Sequence, residues 1–387
     1  MSSRPTIESL IQQRFDALFL DVKAAQLNLK NKNNPILNVI ELEQSKTARS
    51  LLSIEKQALQ QKDLDDKLDL GVLNTVANHV NAEVEKRLQN DFKDLNQLYS
   101  KVLGLDSDLP RLLDLVCVKA ATISKIEPVA NQLQWLFNDL MKFVNQSKYQ
   151  RLDKNEDVIV VDTMRKGLSF FGIENLVFIL SALAFRRTLP QITDPFPQIK
   201  LRIWEEAIAT ANSCKQIAAL VGVNQNDAFC LGMLQMMGKV VVTKLFFRQF
   251  EIVQREALER SQQQLKHDEY AALTKLTPSG DFLNQLIHKY ALTISAKLLD
   301  NMAMKRIFIA NATHQLAGEQ PASNLSPLAL VLKQGSAYAH YRLLSFHKLI
   351  DLQQSKDFIS TLDLPKGALN ILKATDMRSL DLKMSPL

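Results

Sequence analysis

The stretch Asn226–Phe247, NDAFCLGMLQMMGKVVVTKLFF, reads as an apolar helix that turns at a glycine and resumes. At its centre stand Leu234-Gln235-Met236-Met237-Gly238-Lys239, which set an amide, two thioethers and an ammonium into otherwise apolar surroundings. A run of this kind belongs to the interior of a helical protein. The rest of the 387-residue chain agrees, because it holds only 11 Gly and 12 Pro. Few turns are needed, which favours long helices over many short strands.

Working outward, helical spacing recurs on both sides. Upstream, Ile7, Leu10, Ile11, Phe15, Leu18, Phe19, Val22 and Ala25 form one apolar stripe over residues 6–28. The polar break NLKNKNNP (28–35) ends with Pro35 at a first helical position behind Asn34 as cap, and a second helix runs to about Gln61. A third pattern, from Leu73 through Val76, Val80, Val84 and Leu88 to Val102, predicts a helix over 71–103. The N-terminal amphipathic helices read first as intramolecular core and second as a partner surface, for which this helix is by its length the best candidate. The segment LGLDSDLP (103–110) separates these helices from a set of shorter ones. Downstream, SGDFLNQLIHKYALTISAKLLDNM and AMKRIFIANATHQLAGE continue the pattern, and the turn-rich AGEQPASNLSP (317–327) precedes a last helical section. The one strand-like run is Val158–Val161, and no internal repeat is present. Three units are expected: an N-terminal helical hairpin or bundle (1–104), a central helical domain (105–316) and a C-terminal helical section packed on it (317–387).

Composition narrows the function classes. Apolar residues make up 46% and charged residues 23%, so a substantial core can be buried. The net charge is +6 and the pI about 9.0. Residues 1–104 hold 14 Lys+Arg against 14 Asp+Glu, so the excess lies downstream, where it is scattered. The densest runs, Arg186-Arg187 and Lys305-Arg306, are pairs, and no basic 5–8-mer appears. Nucleic acid is therefore not the expected partner. Aromatic residues sit at core spacings without interleaved cations, which leaves single-strand stacking unsupported. Cys117, Cys214 and Cys230 lie apart in apolar patterns, as small buried hydrophobes of a reducing compartment do. The N-terminus carries no signal-peptide apolar run, and Leu176–Phe185 is too short to span a bilayer, so a cytoplasmic protein without membrane contact is expected.

Five segments in order resemble one family. LPRLLDLV (109–116), NDLMKFVNQSKYQ (138–150), VDTMRKGLSFFGIENLVFILSALAF (161–185), LRIWEEAIATANSCKQIA (201–218) and DAFCLGMLQMMGKVVV (227–242) are similar to the successive motifs of the HDOD domain family, the non-catalytic relatives of HD-type metal phosphohydrolases. The resemblance covers roughly residues 105–315. It implies an all-α fold, a multi-helix HD/HDOD-like helical core, here with an N-terminal helical extension. It also implies relic positions of a metal site. Glu206 stands where the motif's histidine is expected, and Gln235 and Met236 stand where a His-Asp pair is expected. Gly238 and Lys239 match the motif. A further histidine is expected near Tyr290 or Ala291, where none stands, and His314 falls near the position of a late one.

Ligand chemistry argues in the same direction. A phosphodiester hydrolase of this kind holds divalent cations that bring a bound water to a pKa near 7. Gln235 offers a neutral amide oxygen, and Met236 offers a thioether suited to Cu(I) rather than Mg or Mn. Met233, Met236 and Met237 are expected to fill the space instead. Of Glu205 and Glu206, adjacent on a helix, only one can point inward. A solvated pair, a structural ion pair and a pocket acid are the alternatives, with Glu206 facing Lys239 as the inward arrangement. His340 and His347, seven apart, can share a helix face, and with His288 or His314 they define a less favoured metal set. Arg186 and Arg187 read as cations at a helix C-terminus.

The expectation is a non-enzymatic bacterial signal-transduction scaffold or regulator with no metal and no cofactor. Its partners are expected to be proteins of a signalling pathway, a nucleotide or cyclic dinucleotide in the relic pocket, or a second copy in a homodimer. The alternatives are a metal-dependent phosphohydrolase built from Glu206, His288 and His314, and a nucleotide-sensing or nucleic-acid-binding protein.

Overall fold

The computed structural model describes residues 6–33, 53–118, 120–146, 161–318, 320–380 and 382. Among them every regular element is helical and no strand forms. Pro35, Asn34 and residues 158–160 of the strand-like run lie outside the described residues.

Helix α1 (Ile7–Leu20) is capped by Thr6, whose side chain accepts from the Ser9 amide, and α2 (Val22–Asn33) follows directly. Helix α3 spans Ser53–Asp91. It starts earlier than its apolar stripe suggests, because 53–70 is rich in Leu, Gln and Lys, which favour helix without any stripe. It also stops earlier. Asp94 caps a short new turn by accepting from the Gln97 amide, and a π-turn, Leu98–Val102, closes the segment. The stripe Val76, Val80, Val84 and Leu88 is buried against Met237–Gln263 and His267–Lys275. That apolar face is therefore committed to the intramolecular core, the first of its two readings. Within residues 1–104, α1 lies on Ile199–Val221, Pro327–Phe346 and Leu352–Thr361, and α3 lies on Met237–Gln263 and His267–Lys275.

The central helices are α4 (Leu109–Val116), α5 (Ile123–Ala130), α6 (Gln134–Val144), α7 (Met164–Phe171), α8 (Ile173–Thr188), α9 (Ile199–Val221), α10 (Gln225–Leu234), α11 (Met237–Gln263), α12 (His267–Lys275), α13 (Gly280–Asn301) and α14 (Ala310–Ala317). After them come α15 (Pro327–Phe346), α16 (Leu352–Thr361) and α17 (Ala368–Ala374). Helix α9 is the axis. It is buried on most of its circumference and packs on α10, α15 and α17. Gly222, at φ +70°, ends it in the left-handed conformation that glycine adopts without steric cost. Helix α15 opens with Pro327 behind the Ser326 cap and crosses α9 at Gly335, where a Cβ would lie 2.5 Å from the Cys214 sulfur. The last turn of α8 carries Arg186 and Arg187, and Arg187 lies over the Trp135 ring at 4.8 Å.

The opening stretch does not turn at its glycine. The chain leaves α10 at Gln235 and enters α11 at Met236, both with right-handed backbone, and Gly238 lies inside α11. The glycine answers a packing constraint: a Cβ there would collide with the Ala291 carbonyl oxygen of α13. Gly232 of α10 plays the same part against the Ala211 backbone of α9, 2.6 Å from a built Cβ. Gln225–Gln263 is long and apolar enough to cross a bilayer, yet 83% of its apolar window is buried within the fold, as a core helix is. Cys214 and Cys230 are buried and Cys117 is half-buried, and burial pushes the Cys117 thiol up to about 12.

Gly238→Ala is expected to destabilise the protein by about 3 kcal/mol, because backbone must move to admit the methyl group. Gly71→Ala, on the exposed face of α3 with nothing within 4 Å, is expected to stabilise by about 0.5–1 kcal/mol. Urea denaturation midpoints of the two variants check both.

Candidate functional site

The break between α10 and α11 is held from outside. The Ser295 hydroxyl of α13 accepts from the Gly238 amide at 2.8 Å and donates to the Gln235 carbonyl oxygen. It thereby satisfies an orphan donor of one helix start and an orphan acceptor of the preceding helix end. With the break fixed there, the first turn of α11 directs Lys239 at α9. Its ammonium donates to both Glu206 oxygens, at 2.8 and 2.6 Å.

Glu206 is 4% exposed. Its Oε1 also lies 3.0 Å from His340 Nε2 of α15. Burial alone would raise its pKa, but the Lys239 charge and the His340 hydrogen bond outweigh this and hold it at about 2. The Phe15 ring of α1 stacks on the His340 imidazole, centroids 3.8 Å apart at 19°. Lys239 lies over the rings of Phe15 and Phe19, at 5.6 and 5.2 Å. Next to Phe15, Asp16 meets His288 Nε2 of α13 at 2.9 Å and takes an Asn284 side-chain bond on its carbonyl. These groups surround a cavity of ≈ 540 Å³ whose wall includes Gln235, Met236, Ser336 and Lys333. Helix α1, expected in a separate N-terminal unit, forms one wall of the cavity beside Glu206 and Lys239.

The structure thus brings Glu206, Gln235, Met236 and Lys239 together in one cavity. It does not bring His314 there. His314 sits in the last turn of α14, exposed, with Nε2 2.5 Å from Asp300. Met236 lines the cavity, whereas Met233 and Met237 are buried in the surrounding core. The two histidines seven apart do share a face, and both meet α9. His340 reaches Glu206, and His347 Nε2 lies 2.7 Å from Arg202, one turn earlier, as antiparallel helices require. Burial, then Arg202 and Arg378, hold His347 down at about 4, and Glu205 is paired with Arg202. Phe15 and Asp16 were not legible as site residues, and His340 was read only as a member of the less favoured metal set. All three lie 134 or more positions from Glu206 in sequence, and no spacing links them to it.

The donor set does not fit a divalent cation. Both Glu206 oxygens are engaged, Gln235 and Met236 add an amide and a thioether, and His288 is held by Asp16. Among the described residues no group of three or more His, Cys, Asp or Glu side chains converges on one point.

The HDOD domain model matches residues 108–283. Residues 108–283 are an HDOD domain. No curated protein and no solved structure matches the chain. The HDOD segment supplies Glu206, Gln235, Met236 and Lys239. Phe15, Asp16, His288, Lys333 and His340 come from outside it, so the cavity is completed by helices on both sides of the HDOD domain.

Glu206 sets an acid limb of stability. Its carboxylate has a folded pKa of about 2 against an ordinary 4.5. Stabilisation from this group is therefore complete above about 4.5 and is lost as pH falls toward 2, in all on the order of 3 kcal/mol. Glu206→Gln is expected to flatten the decline of the urea midpoint between pH 5 and 3 relative to the unaltered protein. Lys239→Met leaves the carboxylate buried without its cation and is expected to cost about 3–5 kcal/mol at pH 7.

Proposed function

We propose that the protein is a non-enzymatic regulator of a bacterial signal-transduction pathway, in which the HDOD domain serves as a scaffold for a protein partner. The observation that carries this reading is the closure of Glu206 by Lys239 and His340. A metal phosphohydrolase works by presenting an open cation to water and phosphate. Here the carboxylate at the relic centre, Glu206, is already neutralised by the Lys239 ammonium of α11. A cation entering the cavity would have to displace that ammonium and would find an amide and a thioether in return. The family resemblance supports the same role, as HDOD domains are the non-catalytic relatives of HD-type phosphohydrolases. The hydrolase built from Glu206, His288 and His314 finds no support in the geometry, because each is held by a different partner and His314 lies outside the cavity.

The cavity itself is a place where regulation can act. Stacking of Phe15 on His340 and the Asp16–His288 pair tie α1 to α13 and α15. A ligand entering there would compete with contacts of α1, and so would couple occupancy to the position of the N-terminal helix. Purified full-length protein is expected to carry clearly less than one Fe, Mn or Zn per chain and to show no turnover of a generic phosphodiester with any of these added. Stoichiometric metal together with turnover that Glu206→Gln abolishes would overturn the proposal.

A further inference from the structure

A second cavity, which shares no residue with the one around Glu206, opens between α4, α5 and residues 302–306. Its volume is ≈ 690 Å³, within the roughly 300–1,000 Å³ of small-molecule sites. Four cations line it: Arg111, Lys125, Lys305 and Arg306. All four are exposed, and their side chains make no ion pair or hydrogen bond with any described residue.

The single acid in the lining, Asp114, is committed elsewhere. Its two oxygens accept from the backbone amides of Lys305 and Arg306, at 2.6 and 2.8 Å. This pins residues 302–306 to α4 and places two successive basic side chains beside Arg111, which stands one turn before Asp114. Ala303 in the same segment is held at φ +48°, a conformation rarely taken by residues with a Cβ. Of the acids in the flanking sequence, Asp106 accepts from Trp135, Glu127 faces Arg165 and Asp300 faces His314, while Asp108 makes no side-chain hydrogen bond as the N-cap of α4. The lining itself sets four cations against the one carboxylate of Asp114, and a concave surface with such an excess of positive charge attracts anions.

We infer that this groove is a binding site for a small molecule carrying two or more phosphate groups. A carboxylate brings one charge to four cations, whereas a phosphate monoester brings about −1.5 to −2. The forks of two guanidinium groups match phosphate oxygens in pairs. Between the cations, Val118, Val129 and Met302 form an apolar floor that accommodates the organic part of a nucleotide. The bounded volume suits such a molecule better than an extended nucleic-acid strand.

Isothermal titration calorimetry of the full-length protein at low salt tests this with ADP, inorganic pyrophosphate and adenosine as probes. ADP and pyrophosphate are expected to bind at sub-millimolar concentration and adenosine at least about tenfold more weakly. The doubly substituted Arg111→Gln, Arg306→Gln protein is expected to lose at least about tenfold for both anions. Lys333→Gln, at the other cavity, is expected to leave binding unchanged. Asp114→Asn separates a built site from mere positive charge. It removes a negative charge, so simple attraction predicts tighter binding, whereas loss of the anchor for residues 302–306 predicts weaker binding. Absence of heat at millimolar ADP and pyrophosphate overturns the inference, as does affinity indifferent to the arginine pair. Tighter binding by Asp114→Asn, or preference for an Asp/Glu-rich peptide over both anions, also overturns it.

Discussion

One hydroxyl sets the geometry on which the rest depends. Ser295 on α13 joins the carbonyl end of α10 to the amide start of α11 by accepting from Gly238 and donating to Gln235. Two helices that would otherwise leave polar groups unpaired in a dry interior are closed by one side chain. The bridge needs α13 within hydrogen-bond reach of the α11 backbone, and only glycine at position 238 leaves room for the Ala291 carbonyl. The position of the break then fixes the phase of α11, and the phase of α11 decides that Lys239 faces α9. Packing and charge are therefore linked at this corner: the contact that lets the helices meet is the one that aims the ammonium.

What that ammonium meets explains the character of the cavity. A buried carboxylate is costly unless it is paired and hydrogen-bonded. Glu206 has Lys239 on both oxygens and His340 on one. The cation is in turn screened from solvent by Phe15 and Phe19, whose rings give it a favourable face. In sequence these partners are spread from residue 15 to residue 340, and the HDOD segment contains only the central pair. The helices before and after the domain are hence part of its chemistry: without α1 and α15, Glu206 would lose its imidazole and Lys239 its aromatic cover.

Patterns with a local physical cause were readable from the chain. The stripe Val76, Val80, Val84, Leu88 marks a buried helix face because helical geometry repeats every 3.6 residues, and that face is buried. Its partner was not readable, since a stripe says that something apolar covers it but not what. Glu206 was the acid expected to turn inward, but only as one of several alternatives, because spacing shows that at most one of two adjacent acids points in and does not exclude a solvated pair. The role of Gly238 was misjudged for a related reason. A glycine between apolar segments has the local signature of a turn, and the constraint that placed it, a carbonyl 53 positions later, leaves no local trace. His314 was assigned by order along the chain, yet the loop after α13 carries it outside the cavity to Asp300.

By itself the sequence determined the helical class and the HDOD core, and it sets an amide and a thioether, Gln235 and Met236, at the centre of the opening stretch. These follow from residue identity and short-range periodicity, which the chain carries explicitly. Only the tertiary structure decided that Lys239 neutralises Glu206, that His340 and Phe15 complete the enclosure, and that Asp114 holds Lys305 and Arg306 in the groove lined by Arg111 and Lys125. Such features arise from the phase and crossing of helices far apart in the chain, and these are set by steric fit between whole surfaces rather than by any spacing along one of them.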